Sequence, residues 1–354
     1  MKVLIIGCFN LYLHPYLEKY LSVLKHREIE YKVIYWNRNG KEKTNDENYV
    51  SYDKASSFSG NIFHKILPYL GFTKFVRNHL KVFRYDRIVF LASQTMFLFH
   101  SIAVKQYKGR YIFDYRDVTY EKYSFYKKIM ANCIKNSFFT AISSNGFETV
   151  FPKELNTKFV LCHNAKNDFG KRILNVHPSN LIRLTFWGLI REIDYFSKFL
   201  KIIGNDKRFL VSFYGTGDTD ALSKIIELNK YENVRVFGEY DQKDIYNIAS
   251  NTDIVLNCYS NKSIQKLSLT IKMYESLMYG LPMIVQRGSY MDIFLQSNNV
   301  RHLPLDIDNC SFKSDDIFNF YKINNHISCD DVLDTITADQ QLFYSLLEGF
   351  FDEK

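Results

Sequence analysis

Hydrophobic residues in this chain fall into short runs, each closed by a polar or glycine-bearing tip and followed by a stretch with helical spacing. Val3–Ile6, Tyr31–Trp36, Arg87–Ala92, Arg110–Asp114, Phe138–Ile142 and Lys158–Cys162 are such runs in the first half. Their apolar positions are consecutive and not alternating, the pattern of strands covered on both faces. Helical stretches follow to about Leu24, to about Tyr107 and to about Asn136, and SSNGFETVF opens another.

The pattern then restarts. Ile182–Trp187 ends at Gly188 before a helix over about Asp194–Ile203, and Phe209–Tyr214 ends in GTGD before a helix to about Asn229. Val234–Phe237 ends in GEY, with a helix from about Gln242 to Ala249. Asp253–Asn257 precedes LSLTIKMYESLMYGLPMIVQ, which reads as a helix broken at Gly280 and Pro282 and then the strand Met283–Val285. Strands alternating with helices predict doubly wound parallel sheets, and the restart predicts two Rossmann-like halves facing across a cleft. At 354 residues the chain is long enough for two cores. The predicted division is 1–168, a linker at 169–180, 181–335, and a closing helix at 336–354 that packs back on the first half.

Composition narrows the class. Hydrophobic residues at 46% and charged residues at 24% exclude a disordered chain. The six cysteines contain no C-x-x-C pair and no cysteine–histidine cluster, so zinc is not expected and a reduced cytosolic chain is. The apolar start MKVLIIGCFN is too short for a signal peptide and reads as a first strand. Ile88–Val104 is interrupted by Ser93, Gln94, Thr95, His100 and Ser101, which fits a buried strand–turn–helix and not a membrane span.

The net charge of +8 is uneven. Between Phe58 and Arg87 lie Lys65, Lys74, Arg77, Lys81, Arg84 and Arg87 against the single acid Asp86, interleaved with large apolar residues such as Leu67, Leu70, Phe72 and Val76. Two readings stand: an interfacial helix on an anionic membrane surface, or a core stripe with a solvated basic face. Nucleic acid is not expected as a partner, because no recognition motif accompanies the charge.

The chemistry concentrates at 267–286. Lys272 and Glu275 are three apart, so both project from one helix face. A carboxylate there can accept hydrogen bonds from a ribose diol, and the free N–H groups of the helix start, with the lysine, can hold a diphosphate. A nucleotide-sugar carries both groups. An ordinary capped surface helix before a core strand is the alternative.

The ordered set GLIR at 188–191, YGTG at 214–217, FGEY at 237–240, NCY at 257–259 and KMYESLMYGLPMIV at 272–285 resembles the nucleotide-sugar half of a GT-B glycosyltransferase. It is most similar to the large retaining family that builds bacterial capsular and O-antigen polysaccharides. A weaker similarity runs through FDYRDVTYE, AISSNGFETVFP and CHNAK in the first half. The resemblance implies a GT-B fold and a nucleoside-diphosphate sugar, UDP-linked, as donor. It places Glu275 on the ribose, Lys272 beside the diphosphate, Gly215 and Gly217 under the nucleotide, Tyr240 beside the base, and Gly188 and Arg191 at the turn facing the phosphates, with Thr270 among the donor-binding residues. An arginine also suits a departing diphosphate without a metal. Asp218–Asp220 spells D-T-D but follows a glycine loop at a helix start, where acids favour the dipole, so no metal and no separate cofactor are expected.

Two positions depart from the family. Its first glutamate, eight residues before Glu275, is Leu267 here, and Leu189 follows Gly188 where an arginine is usual. Both leave the sugar and the stereochemistry open, with retention favoured over inversion. For the first half, His14 is the candidate general base facing the cleft, with a cap or packing role as its alternative. Asp117 is the second candidate, flanked by Arg116 and Glu121, with a helix N-cap as its alternative. Asn145 and Gly146 sit at a helix start where Ser143 or Ser144 can cap and Glu148 falls near N3. His163 and Asn164 are placed at the cleft floor.

The sequence therefore predicts a cytoplasmic hexosyltransferase, peripheral on the inner membrane face. It would act on a glycan or lipid-linked acceptor in surface-polysaccharide synthesis, with a homo- or hetero-oligomer left open. A catalytically silent GT-B partner subunit, favoured by Leu267, and a sugar-nucleotide epimerase of the same fold are the rival readings.

Overall fold

The consecutive apolar runs become the strands of two parallel sheets in a computed structural model that describes residues 1–42, 44–56, 62–165, 181–323 and 329–352, and for 62–66 only the backbone. The predicted linker at 169–180, Phe58, and the side chain of Lys65 lie outside the described residues. The chain forms two compact units: residues 1–163 together with 338–354, and residues 164–337.

In the first unit the strands are β1 (Lys2–Gly7), β2 (Glu30–Trp36), β3 (Tyr49–Tyr52), β4 (Arg87–Leu91), β5 (Tyr111–Tyr115), β6 (Thr140–Ile142) and β7 (Phe159–Leu161). Helices α1 (Leu17–His26), α2 (Ile62–Val82), α3 (Ser93–Gln106) and α4 (Ser124–Asn136) connect them. The strand order is β3-β2-β1-β4-β5-β6-β7, all parallel, so the order in which strands are added reverses between β1 and β4. One face is filled by Val3, Ile5, Val33, Val89 and Ile112, under Tyr20 and Leu24 of α1. On α3, Phe99 meets Phe72 of α2 and Phe90 of β4. Burying each such ring contributes about 1.5–3 kcal/mol.

The second unit repeats the plan. Strands β8 (Ile182–Trp187), β9 (Phe209–Tyr214), β10 (Val234–Gly238), β11 (Ile254–Leu256), β12 (Met283–Gln286) and β13 (Leu303–Leu305) lie in the order β10-β9-β8-β11-β12-β13, again all parallel. Helices α5 (Ile193–Ile203), α6 (Thr219–Leu228), α7 (Ile245–Ser250), α8 (Ile271–Tyr279), α9 (Tyr290–Ser297) and α10 (Ser314–Ile323) cover it. Alternate residues of each strand feed two apolar layers: Leu184, Phe186, Val211 and Phe213 on one side, Trp187, Val255, Met283 and Val285 on the other. The last helix, α11 (Asp330–Asp352), begins earlier than the predicted 336. Val332 and Ile336 join the second unit's core, whereas Phe343, Leu347, Phe350 and Phe351 lie in the core of the first.

Several sequence expectations change. SSNGFETVF forms only a 3-10 turn (Asn145–Val150), in which the Ser144 side chain accepts from the Gly146 N–H. Tyr49–Tyr52, β13, α9 and α10 are additions to the elements read from the sequence. The basic stripe divides between core and surface: Phe72 and Val76 are fully buried, while Leu67 and Leu70 are 71% and 59% exposed. Arg87 does not belong to the exposed face. It is buried at the start of β4 with its guanidinium over the Phe350 ring.

Candidate functional site

In the second unit the sheet order reverses direction between β8 and β11, and the loops beyond their carboxyl ends are where open α/β sheets take ligands. β8 and β9 run in register from Ile182 opposite Phe209 to Trp187 opposite Tyr214, so the turns that follow lie side by side. They interlock. Gly188 N–H donates to the Tyr214 carbonyl at 2.9 Å, Ile190 N–H to Thr216 at 2.7 Å, and Asp218 N–H to Ile190 at 2.9 Å. Gly215 has φ +144°, and a Cβ there would sit 1.7 Å from the Gly188 carbonyl oxygen. Gly217 is equally constrained, with the Ile190 oxygen 2.2 Å from its missing Cβ. The two glycines expected under a nucleotide thus have a local duty: they let two strand-end turns pass at backbone contact.

Helix α8 approaches this ledge from the β11 side. Thr270 is its N-cap: its hydroxyl accepts from Met273 N–H and donates to Asn257 Oδ1 at 2.9 Å. The helix ends at Gly280 in the left-handed conformation, as the G-x-P signal anticipates. Lys272 and Glu275, one turn apart and both buried, meet the same residue of β8. Lys272 Nζ donates to the Trp187 carbonyl and lies 3.5 Å from the Phe186 ring centroid. Glu275 Oε2 accepts from the Trp187 indole N–H at 2.7 Å, and Oε1 from the Gln242 amide at 3.0 Å. Burial lowers the Lys272 pKa to about 7, against the raising effect of Glu275 and Cys258, while Arg191 lowers it further.

Arg191, at the end of the Gly188 turn, has a buried Nε without a hydrogen-bond partner. Half-buried Tyr240 lies close enough to Glu275 to feel its charge; burial first, and that charge second, push its phenol up to about 12. Glu192 follows Arg191 in the left-handed region at φ 60° and accepts from Ser260 N–H at 2.9 Å, tying the β8 turn to the loop after β11. That loop carries Lys262 and Lys266, and no acid occurs between Asp253 and Glu275. The result is one carboxylate with both oxygens oriented, near a helix start and within electrostatic reach of Lys272, which Arg191 also reaches. This arrangement suits a ligand with vicinal hydroxyls and phosphates. Asp218 and Asp220 are exposed at the start of α6, and among the described residues no group of three His, Cys, Asp or Glu side chains is placed to hold a metal ion.

Trp187 and Gln242 were not singled out in the sequence. The signal for Trp187 was its place as the last strand residue before Gly188, and for Gln242 its place two residues after Tyr240.

The first-unit candidates are placed differently from one another. His14 is buried, with Nδ1 3.0 Å from the Tyr16 hydroxyl and Nε2 without a hydrogen-bond partner; a Cβ on Gly7 would lie 2.7 Å from that nitrogen. Burial lowers its pKa to about 4, so the ring is neutral at pH 7. Asp117 is exposed and is not a helix cap, because α4 starts at Ser124. Its neighbour Arg116 is buried, paired with Asp114, and donates to the Cys162 carbonyl at 2.7 Å. Glu121 is buried and accepts from the Thr119 N–H; burial raises its pKa. His163 Nε2 lies 3.0 Å from Asp339 on α11.

Two parallel Rossmann-like sheets, each with the reversal that opens a site at its carboxyl edge, define the GT-B architecture. No family model and no curated protein matches the sequence. Solved structures do match. The apo form of the lipopolysaccharide outer core galactosyltransferase WaaB is 12% identical with 99% of each chain covered and a TM-score of 0.65. An E. coli trehalose-6-phosphate structure bound with UDP-2-fluoro glucose is 12% identical over 98% of this chain and 99% of that one, at a TM-score of 0.70. A UDP-N-acetylglucosamine 2-epimerase is 12% identical over 100% and 97%, at 0.60. At these identities the likeness is one of fold.

Proposed function

We propose that this chain is a glycosyltransferase that moves a hexose from a UDP-sugar to a glycan or lipid-linked acceptor in cell-surface polysaccharide synthesis. The observation that carries the reading is Glu275: a buried carboxylate fixed by Trp187 and Gln242 in the first turns of α8, one turn from Lys272, which feels the charges of both Glu275 and Arg191. The ribose diol would donate to Glu275, and the diphosphate would lie against the Gly188 turn, the α8 N–H groups and Arg191. Departure of the diphosphate is then stabilised by arginine and backbone dipoles, without a requirement for a metal. Acceptor activation belongs to the first unit in this scheme, with Asp117 better exposed for it than His14.

Cytoplasmic association with the inner membrane face is part of the proposal. No helix of the described residues is long and apolar enough to cross a membrane. Support for surface binding comes from α2, where exposed Leu67 and Leu70 continue into exposed Lys74, Arg77 and Lys81 along one face.

The test is transfer and binding with purified protein. UDP should raise the melting temperature, UDP-sugar should be consumed by transfer or hydrolysis, and Glu275→Ala should remove both effects while the fold persists. No stabilisation by any nucleoside diphosphate would favour the silent-subunit reading that Leu267 suggests. The epimerase of the same fold keeps a second reading alive; interconversion of UDP-sugars without transfer would establish it.

A further inference from the structure

We infer that Trp187 is the positioning residue that presets Glu275 for a ribose diol, and that Lys272 acts by holding Trp187. The inference rests on the donor reading above and adds residues which that reading does not contain. Trp187 is 2% exposed at the last position of β8, and α8 grips it at both ends. Its indole N–H donates to Glu275 Oε2 at 2.7 Å, and its backbone carbonyl accepts from Lys272 Nζ. One helix face, spaced i and i+3, therefore fixes a single tryptophan through side chain and main chain together.

The consequence lies in lone pairs. An ionised carboxylate offers about four acceptor sites, two on each oxygen. Trp187 fills one on Oε2 and Gln242 fills one on Oε1, which leaves one on each oxygen. Two acceptors side by side match the two donors of a vicinal diol. Without the indole, a carboxylate buried to 6% exposure would keep only its bond to the exposed Gln242, and the diol would have to complete its ordering on binding. Gln242 is exposed, so its bond competes with water, whereas the indole bond is sheltered. The strand-end tryptophan thus sets the geometry and the glutamine trims it.

Lys272 fits the same account. Its Nζ is committed to the Trp187 carbonyl and to the Phe186 ring, so its part in donor binding runs through the strand end and the adjacent Gly188 turn. A Cβ on Gly188 would lie 3.5 Å from that nitrogen, so the lysine tip packs against the turn.

The experiment compares UDP with 2′-deoxy-UDP by calorimetry in the wild type and in Trp187→Phe. Phenylalanine keeps one aromatic ring in the apolar layer and removes the N–H donor together with the indole's second ring, so the readout is the UDP preference and not stability. The wild type should prefer UDP by at least about tenfold, and Trp187→Phe should bind UDP about tenfold more weakly with the preference collapsed towards one. A purely structural tryptophan would lower the melting temperature and leave the preference intact, and that result overturns the inference while the donor reading stands. If Trp187→Phe does not fold, the indole N–H resonances of the wild type decide. The chain has only two tryptophans. UDP should move one resonance and 2′-deoxy-UDP should move it far less, whereas UDP binding with neither resonance moved overturns the inference. A wild type that binds no nucleoside diphosphate overturns both this inference and the donor reading.

Discussion

Gly215 passes so close to Gly188 that a Cβ on the first would lie 1.7 Å from the carbonyl oxygen of the second. The contact joins the ends of β9 and β8 and makes the floor of the candidate site a single unit. Gly215→Ala must push two backbones apart and also hold alanine at φ +144°. Gly280→Ala has φ +71° with nothing within 4 Å of its new methyl. Left-handed strain alone costs about 1 kcal/mol, and strain with a backbone clash about 3 kcal/mol. Thermal melts should place Gly215→Ala roughly 5 °C or more below Gly280→Ala, and UDP should stabilise only the latter. Equal melting temperatures would remove the interlocking role.

Opposite this edge, at the amino ends of the strands, Asp253 accepts from Arg183 three times: from the backbone N–H at 2.7 Å, from Nε at 2.9 Å and from Nη2 at 2.8 Å. The pair links β8 to the start of β11 on the side away from the loops. Arg183→Met leaves a buried carboxylate with its backbone donor alone and should destabilise the second unit by about 3 kcal/mol. Chemical denaturation measures that loss, while calorimetry should find UDP affinity within about twofold of wild type. A large loss of affinity would mean that the sheet transmits strain from one end to the other.

Consecutive apolar runs and their polar tips were legible because a parallel strand buries both faces and leaves its function at the end. Lys272 and Glu275 could therefore be brought to one edge from sequence order, and Thr270 and the Gly188 turn through the family resemblance. Their partners could not. Trp187 and Glu275 are 88 positions apart, and no local spacing encodes a bond between them. The same limit hid the second duty of Gly215, whose nearest neighbour is another turn. In α2 the apolar stripe could not say which large side chains face the core, since Phe72 and Leu70 look alike until the sheet is in place. SSNGFETVF carried a helix-start signal, but Pro152 follows within a turn and only a 3-10 segment forms.

His14 sets an acid limit on stability. Its folded-state pKa is lowered from 6.5 to about 4 by burial, so between those values the unfolded chain holds a proton that the folded chain does not. Stability then falls as pH falls through that window, by up to roughly 1.4 kcal/mol per pH unit from this residue. His79 and His163 are also lowered by burial and add to the wild-type slope. The difference between wild type and His14→Gln isolates the His14 share: denaturation at pH 4.5 to 6.5 should give a shallower pH slope in the variant. Parallel slopes would show that His14 takes up its proton in the folded state.

The exposed face of α2 gives the membrane part of the proposal a direct test. Leu67, Leu70, Lys74, Arg77 and Lys81 follow at spacings of three and four, so they form one stripe, and all are exposed. The first two can enter the interfacial region while the three cations meet anionic headgroups, each worth about 1 kcal/mol. Replacing the three with glutamate should weaken binding to phosphatidylglycerol vesicles by roughly a hundredfold or more. Leu67→Ser with Leu70→Ser should weaken it less and make the remaining binding more sensitive to salt. Both variants alter only exposed positions and should melt within about 2 °C of wild type, with UDP affinity kept. Flotation with anionic and with neutral vesicles separates the contributions: binding to neutral vesicles alone would assign the face to apolar contact, and equal flotation of all three proteins would place any membrane contact elsewhere on the chain.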